Sequence, residues 1–331
     1  MPVDEGRARS RVRVARGMAD QARKFTAAGL QPAVPRDAAT VILVRPAEGT
    51  DRGEGTDRAA GTNRAAGVEV YLLQRTDALE FAPGACVFPG GSVDERDADP
   101  GIAETGWAGP APADFGHLLG VPAEHALALV CAAVRETFEE SGVLLAGPSP
   151  AELVPDSADL ARDRRALLAG SLSLGELLDR RGLLLRADLL TPWARWITPE
   201  FSPRRFDTWF FAAALPAGQL AGLAAAESGA SESGASESGE AESGESGSGA
   251  PGSGESDSGT WWRPSAALEA ARAGQITLLP PTAVTLAELA AYQDVEGILA
   301  ERRMITPLLP TVVVEDERAW LAMPESIEYP L

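Results

Sequence analysis

The 331-residue sequence has few of the side chains that build disulfide-stapled or zinc-bound folds, with only two cysteines and two histidines. This scarcity excludes a disulfide framework, and nothing resembles the ligand spacing of a zinc site. Cys86 and Cys131 are therefore expected to pack as small apolar side chains. The sequence also lacks an apolar run near the ~18 residues of a membrane span and an apolar signal core at its N-terminus. These absences predict a cytoplasmic protein without a membrane partner.

Positive charge is scarce as well. The chain has 29 Lys and Arg against 48 Asp and Glu, for a net charge of −19. Eight of the acidic residues and none of the basic ones lie in residues 227–259, so the rest of the chain carries −11. Because nucleic-acid binding depends on neutralising phosphates, an acidic body argues against a nucleic-acid partner. The hydrophobic fraction of 45% is enough for the chain to bury a sizeable core.

Two low-complexity tracts interrupt an otherwise globular pattern. The longer one is composed of Ser, Gly and Glu, and it predicts a disordered loop because it has almost nothing to bury. The predicted organisation is a flexible N-terminal arm (1–35), one domain (36–315) with loop inserts at 46–67 and 227–259, and a C-terminal tail (316–331). Strands are predicted at 39–44, 68–73, 209–215 and 260–263, a helical segment at 151–186, and a helix at 282–300.

The strongest local pattern predicts a helix from Ala123 to Gly142. The segment contains no proline, its apolar residues recur with helical spacing, and Gly142 is a typical helix stop. Near its end, three glutamates lie within one turn and an arginine lies four residues before the second of them. The apolar positions are Leu127, Val130, Val134 and Phe138, and the charged ones are Arg135, Glu136, Glu139 and Glu140.

This acidic turn predicts a site for a hard divalent cation. Like charges three or four residues apart oppose helix formation, so a single arginine beside three glutamates is a poor design for a solvated surface alone. The turn Gly90-Gly91 upstream can offer a backbone carbonyl, a ligand that hard cations accept. An ordinary solvated helix face is the alternative interpretation.

These residues resemble the box of the Nudix hydrolase family, Gly-x5-Glu-x7-Arg-Glu-U-x-Glu-Glu-x-Gly-U, where U is a bulky apolar residue. Gly90-Gly91 matches one end, and the run from Arg135 to Val143 matches the other. Two departures stand out. Residues 92–125 form an insertion within the box, and Thr137 occupies the first U position. Counting back eight residues from Arg135 reaches Leu127, so the first glutamate of the box is absent in that register, although Glu124 is close.

The resemblance implies an α/β fold, the Nudix α/β/α sandwich with a mixed sheet, here with a helical insertion and disordered loops. Further segments resemble the branch of the family with a long box insertion, whose members include a peroxisomal acyl-coenzyme A diphosphatase. The Leu- and Arg-rich character of the predicted helical segment leads us to expect a helical cap at residues 151–190 beside the active site. The segments include Gly84 to Gly91, Trp196 to Pro199, Arg205 to Phe211, Trp261 to Pro264 and Leu279 to Thr282.

The family chemistry implies hydrolysis of a diphosphate linkage with Mg²⁺ or Mn²⁺. The metal ligands would be Glu136, Glu139, Glu140 and the Gly91 carbonyl, and the catalytic residues would be Glu136, Glu139 and Arg135. Candidate general bases are Glu255 and Asp257, which could equally be part of the solvated acidic tract. Candidate phosphate contacts are Arg75 and Arg205, each also explicable as a structural ion-pair residue.

The substrate is expected to be a small nucleoside diphosphate derivative, with coenzyme A or acyl-coenzyme A as the leading candidate. A coenzyme A motif of related branches is met in spacing by Arg75 and Gly84, but Glu80 stands where a second arginine is expected. An anionic side chain there would disfavour the 3′-phosphate of coenzyme A. ADP-ribose, dinucleotides and nucleotide sugars remain alternatives, as does a non-catalytic ligand-binding regulator. The oligomeric state is left open.

Overall fold

The computed structural model describes residues 11–14, 16–47, 67–76, 84–222, 256–315 and 318–331. Most of both predicted low-complexity inserts lies outside these ranges. The helices are α1 Arg16–Ala28, α2 Pro100–Thr105, α3 Pro112–Leu119, α4 Ala123–Ser141, α5 Ala161–Leu168, α6 Leu174–Arg181, α7 Pro264–Arg272, α8 Pro280–Leu289 and α9 Val295–Leu299.

The strands are mostly short. They are β1 Arg11–Arg13, β2 Arg36–Pro46, β3 Val68–Arg75, β4 Ala85–Val87, β5 Gly90–Ser92, β6 Trp107–Ala108, β7 Ala146–Gly147, β8 Leu184–Arg186, β9 Thr191–Ile197, β10 Phe206–Ala214, β11 Ser256–Trp262, β12 Thr277–Leu278, β13 Pro307–Leu308, β14 Thr311–Glu315 and β15 Arg318–Ala322. Three 3-10 helices occur at Glu95–Ala98, Ala158–Leu160 and Ala187–Leu189.

A mixed sheet forms the centre of the molecule. In the described part of the chain its strand order is β12-β4-β3-β2-β10-β9-β13, with β11 paired to β3 and β5 paired to β2. Strands β2 and β10 run parallel, whereas β2 and β3 run antiparallel. The pairing of β5 with β2 sets Gly91 opposite Ala39, which fixes the glycine turn against the middle of the sheet.

Helices cover both faces of this sheet. Alternate residues of β2 point to opposite sides: Ala39, Val41 and Leu43 pack with α4, whereas Ile42 and Val44 pack with α7, α8 and α9. The predicted α/β/α sandwich with a mixed sheet is confirmed. Both faces of β2 are apolar because both are covered, so the strand has a nearly continuous hydrophobic run.

Helix α4 is the core helix of one face, and its predicted extent is confirmed to within one residue. Gly142 follows it with φ 76° and donates its N–H to the Phe138 carbonyl, as expected of a glycine that ends a helix. The helix is buried nearly all round from Ala126 to Glu139, so the acidic turn is not a solvated face. This burial was not evident from the periodicity, because other chain segments cover the polar side.

The covering segments are the box insertion and the predicted cap. The insertion folds into a 3-10 helix, α2, β6 and α3, and α3 packs on α4. The cap region forms a 3-10 helix, α5 and α6, and then ends in β8 rather than continuing as a helix. Strand β8 lies between β6 and β7 in a small sheet, so insertion and cap are joined by backbone pairing.

Both chain ends are ordered where the structure describes them. Residues of the predicted flexible arm form β1 and α1, and residues of the predicted tail form β15, which pairs with β1 and β14. Ala19 and Ala22 are buried on one side of α1, in the hydrophobic cluster that also contains Ile42 and Val44 of β2. Pairing between residues about 300 positions apart leaves no local signal in the sequence.

Several element boundaries differ from the expectations: β2, β3 and β10 extend beyond their predicted ends by two or three residues, and two further differences have a physical reason. The helix predicted over 282–300 is divided into α8 and α9, because Asp294 caps a new helix by accepting the Gly297 N–H at 2.8 Å. Strand β11 begins at Ser256, four residues before the predicted start, since pairing with β3 requires backbone groups rather than apolar side chains. No single helix in the described ranges is long and apolar enough to span a membrane; α3 and α4 meet that test only as a pair bent by 94°.

Candidate active site

The candidate site lies at the C-terminal end of α4, against the turn formed by Gly90 and Gly91. The Gly90 N–H donates to Glu140 Oε2 at 2.8 Å. Glu136 is 7% exposed and Glu139 is 3% exposed, so two of the three carboxylates are taken out of water. The structure therefore brings together the two halves of the box despite the long insertion between them.

Arg135 connects these carboxylates. Its Nη1 donates to Glu136 Oε1 at 2.8 Å and to Glu139 Oε2 at 3.3 Å. Its Nη2 donates to the Ser92 carbonyl at 2.9 Å, next to the glycine turn. The guanidinium thus fixes the acidic turn to the loop that follows β5, which is a structural and electrostatic role.

Asp97 is one of two residues at the site that the sequence analysis missed. It is 1% exposed and accepts from Arg135 Nε at 2.9 Å and from Nη2 at 2.8 Å, in a bidentate pair. Its Oδ2 also accepts the Asp94 N–H at 2.8 Å, which closes the capping box of the 3-10 helix. Counting back from Arg135 finds no acid, but counting forward six residues from Gly91 reaches Asp97. The acidic position of the box is therefore filled on the other side of the insertion.

Glu124 does not take that position. It lies in the exposed first turn of α4, three helical turns before Glu136. The first residues of the predicted insertion, up to Asp97, belong to the site. The inserted segment therefore begins after Asp97 and not at residue 92.

The electrostatics of the turn follow from burial. Burial raises the pKa of Glu136 to about 7; the Arg135 charge opposes this and the Glu139 charge adds to it. Burial alone would lower the pKa of Arg135, but the hydrogen bond with Asp97 and the charges of Glu136, Asp97 and Glu139 raise it above its ordinary value. The side chains of Glu136, Glu139 and Asp97 are buried around the guanidinium of Arg135, and this local excess of carboxylates over cationic groups favours an additional cation.

The donor chemistry fits a hard divalent cation. Carboxylate and carbonyl oxygens are the ligands that Mg²⁺ and Mn²⁺ prefer, and Glu136, Glu139, Glu140 and the glycine turn supply them. In the described ranges, no three His, Cys, Asp or Glu side chains already form a metal-binding group. The assignment of Glu136, Glu139, Glu140 and Gly91 as ligands stays a prediction.

Gly91 lies so close to the Glu136 carboxylate that a side chain at residue 91 would displace it. A Cβ at this position would lie 2.5 Å from the Glu136 carboxylate carbon. The absence of a side chain at residue 91 is therefore what allows the Glu136 carboxylate to occupy its place beside the turn.

Gly91→Ala is expected to displace the Glu136 carboxylate and to weaken Mn²⁺ binding by roughly tenfold or more. A long side chain can move aside, so the thermal midpoint should change little. The measurement is a Mn²⁺ titration of the purified protein, with Gly17→Ala as the matched control, since a Cβ at Gly17 meets nothing within 4 Å. Unchanged Mn²⁺ affinity in a folded Gly91→Ala protein would contradict the expectation.

A second arginine, Arg164 on α5, also reaches the acidic turn and was not singled out from sequence. Its Nε and Nη2 donate to the Glu139 carbonyl oxygen at 2.9 and 2.7 Å, and the residue is 8% exposed. Tyr71 on β3 is 1% exposed. Burial raises the pKa of its hydroxyl, and the charge of Arg164 opposes this. No motif marks Arg164, because its partner is a backbone atom 25 residues away in the chain.

The other predicted residues are placed as follows. Arg75 ends β3 and alternates with Tyr71 and Leu73, which puts it on the α4 face of the sheet. Asp257 lies at a register shift of β11, opposite the end of β3. A register shift of this kind often re-aims a strand beside an active site. Glu255 lies outside the described residues.

Arg205 has a different environment. It is buried, and its guanidinium donates to the Thr198 carbonyl at 3.0 Å and to the Ala33 carbonyl at 2.8 Å. These bonds tie the connection between β9 and β10 to the segment before β2. They give Arg205 a structural use, and its contact with substrate stays a prediction.

Comparisons with known proteins find relatives named as Nudix hydrolases or acyl-coenzyme A diphosphatases. The sequence model of the NUDT19 Nudix domain matches residues 110–221, which include Arg135 and the acidic turn. The chain is 30% identical to acyl-coenzyme A diphosphatase NUDT19 of Gallus gallus over 182 residues, covering 44% of the chain and 48% of that protein. It is 25% identical to the Xenopus laevis protein of the same name over 266 residues, covering 70% of the chain and 62% of that protein.

More distant comparisons point the same way. A putative nudix hydrolase 7 of Caenorhabditis elegans is 28% identical over 227 residues, covering 68% of the chain and 57% of that protein. The chain thus spans about half to three fifths of these relatives. A crystal structure of a NUDIX hydrolase from Alicyclobacillus acidocaldarius superposes with a TM-score of 0.54 at 24% identity, covering 82% of the chain and 98% of that structure, which supports the fold.

The box halves joined across the insertion, the sandwich around them and the matched segments lead to one conclusion: residues 110–221 match the NUDT19 Nudix domain, and the chain resembles Nudix hydrolases, NUDT19 among them.

Proposed function

We propose that this protein is a metal-dependent diphosphatase that hydrolyses the diphosphate linkage of coenzyme A or acyl-coenzyme A. The observation that carries the proposal is the acidic turn of α4: three glutamates beside Gly90 and Gly91, held in place by the buried Arg135–Asp97 pair. Burying carboxylates costs free energy and brings no benefit on an ordinary surface helix, whereas a metal site needs carboxylate oxygens held in fixed positions.

The residues act on a linkage that is difficult to attack. A diphosphate presents adjacent anionic oxygens that repel a nucleophile, and bound Mg²⁺ or Mn²⁺ would neutralise that charge and acidify a water. Glu136, Glu139, Glu140 and the Gly91 carbonyl are the proposed ligands. Arg135 keeps Glu136 and Glu139 on one side of the turn, and Asp97 keeps Arg135 oriented.

The remaining roles are assigned by position. Arg75 lies on the same face of the sheet as α4 and is the proposed contact for a substrate phosphate. Asp257 lies at the bulge beside the end of β3 and is a candidate general base, with Glu255 just before it. Water would attack one phosphorus atom, and the P–O bond to the bridging oxygen would break. Coenzyme A would give adenosine 3′,5′-bisphosphate and 4′-phosphopantetheine.

The choice of coenzyme A is supported by the relatives named acyl-coenzyme A diphosphatase. The spacing of Arg75 and Gly84 agrees with it, and Glu80 lies outside the described residues. ADP-ribose, dinucleotides and nucleotide sugars share the same linkage and serve as competing substrates in the test below.

The test is product release from coenzyme A, an acyl-coenzyme A, ADP-ribose, a diadenosine polyphosphate and a nucleotide sugar, with Mg²⁺, with Mn²⁺ or with a chelator. We expect hydrolysis of coenzyme A or its thioester at the highest kcat/KM, lost on chelation and restored by added metal. Preference for another substrate would correct the substrate class. If no diphosphate is hydrolysed with either metal, the proposal of an enzyme is wrong and the alternative of a ligand-binding regulator is favoured.

A further inference from the structure

The C-terminal end of α4 leaves backbone carbonyls that the helix itself does not satisfy, as every helix end does. The helix ends at Ser141, so the Glu139 carbonyl is one of its last four. Val143, four residues after Glu139, lies beyond the helix and donates to Ser141 Oγ at 3.2 Å, and Ser141 donates to the Thr137 carbonyl at 2.6 Å. The donors for the Glu139 carbonyl therefore come from outside α4, at the residue whose side chain contacts Arg135.

Arg164 supplies the missing donors. Its Nε and Nη2 both bind the Glu139 carbonyl oxygen, at 2.9 and 2.7 Å. A guanidinium keeps its charge even where burial lowers its pKa, as it does here. A cation at the C-terminal end of a helix is also favoured by the helix dipole. The bond fixes the backbone position from which the Glu139 side chain, and Glu140 after it, extend.

The surroundings make this contact more than a surface cap. The Arg164 charge is close enough to Glu139, Glu140 and Tyr71 for each to oppose the lowering of its pKa. The Tyr71 hydroxyl is buried and has no hydrogen-bond partner in the part of the chain that the structure describes. A second bond from the cap region, Ser157 Oγ to the Gly142 carbonyl at 2.6 Å, holds the same helix end. Side chains of the cap are thus bonded to backbone carbonyls of the acidic turn and of the residue that ends α4.

We infer that Arg164 is a positioning residue: by holding the Glu139 carbonyl, it sets where the Glu139 and Glu140 carboxylates stand and so determines the affinity of the site for a divalent cation. The inference rests on the proposed function in taking this turn as the metal site. It goes beyond that function in making α5, which lies outside the box, part of the metal-binding structure.

The test compares Arg164→Gln and Arg164→Lys with the matched control Arg165→Gln, a neighbour on α5 that is exposed and donates only within its own helix in the described contacts. Three quantities are measured: the Mn²⁺ dissociation constant by titration, the thermal midpoint with and without Mn²⁺, and kcat and KM for the substrate found above. Mn²⁺ binding requires no turnover, so a failure of the proposed function does not obscure this result.

We expect Arg164→Gln to weaken Mn²⁺ binding by about ten- to a hundredfold, as is typical when a group that orients metal ligands is lost. The Mn²⁺-induced rise of the thermal midpoint should shrink accordingly, and kcat should fall at subsaturating Mn²⁺ with KM nearly unchanged. Arg164→Lys should lie in between, because an ammonium can donate to the carbonyl but not as a rigid fork. Arg165→Gln should match the unsubstituted protein.

A folded Arg164→Gln protein with unchanged Mn²⁺ affinity and a lower thermal midpoint would overturn the inference, since it would show a structural role only. If Arg164→Gln does not fold, Arg164→Lys decides in the same way: weakened affinity supports the inference, and unchanged affinity overturns it. Equal weakening in Arg165→Gln, or no Mn²⁺ binding by the unsubstituted protein, would also overturn it.

Discussion

Glu139→Gln is expected to lower kcat/KM for metal-dependent hydrolysis by about a hundredfold or more. The substitution preserves the size of a side chain that is 3% exposed, but removes one of the charges that would hold the cation. A bound metal contributes several kcal/mol of transition-state stabilisation, and about 2.7 kcal/mol corresponds to a hundredfold in rate. Initial rates at saturating Mg²⁺ and Mn²⁺ with the preferred substrate measure the effect.

The matched control for that experiment is Glu124→Gln on the same helix. Glu124 is exposed in the first turn of α4, three turns from Glu136, so its loss should leave kcat/KM within about twofold. The effect of Glu139→Gln then reflects its place in the acidic turn rather than the loss of a charge on α4. Full activity of a Glu139→Gln protein would remove this glutamate from the metal site.

Asp97→Asn is expected to destabilise the protein by about 3 kcal/mol, even without metal or substrate. Asp97 and Arg135 form a bidentate pair in which the carboxylate is 1% exposed. Breaking a buried pair by removing one partner typically costs about 3 to 5 kcal/mol, and the lower end is expected here because Glu136 and Glu139 still contact Arg135 Nη1. An asparagine would also direct an amide N–H₂ group at the guanidinium or at the Asp94 N–H. Urea unfolding in the presence of a chelator measures the change.

Asp94→Asn provides the comparison. Asp94 lies in the same 3-10 turn, but its pair with Arg96 is exposed, and asparagine caps a helix as well as aspartate does. Its cost should therefore stay below about 1 kcal/mol. Equal losses for the two variants would mean that burial of the Asp97 pair contributes nothing particular to the stability of the site.

Much of the fold was predictable from local patterns. Strand β2 has an apolar run and α4 has apolar residues at helical spacing, and both are confirmed because those patterns depend on neighbours within a few residues. The Gly90-Gly91 turn and the Arg135 to Val143 run were sufficient to identify the box. Its two halves meet in the structure as the resemblance implied.

What could not be predicted depends on contacts between distant residues. Asp97 was overlooked because the box was counted from Arg135, where the insertion breaks the register, and only a count from Gly91 reaches it. Arg164 binds a backbone carbonyl, which no side-chain motif reveals. The burial of Glu136 and Glu139 follows from the folding of the insertion and the cap over α4, since an isolated helix with this sequence would expose them.

The pair formed by Asp97 and Arg135 also explains why an interruption of the box is tolerable. The ion pair joins the residues on either side of a detour in the chain, the segment between Asp97 and Arg135. The positions of the glutamates therefore depend on this ion pair and not on the number of residues in that segment. Because the entropy of closing such a detour rises only slowly with its length, residues can be added to it or removed from it with little effect on how the acidic turn is held.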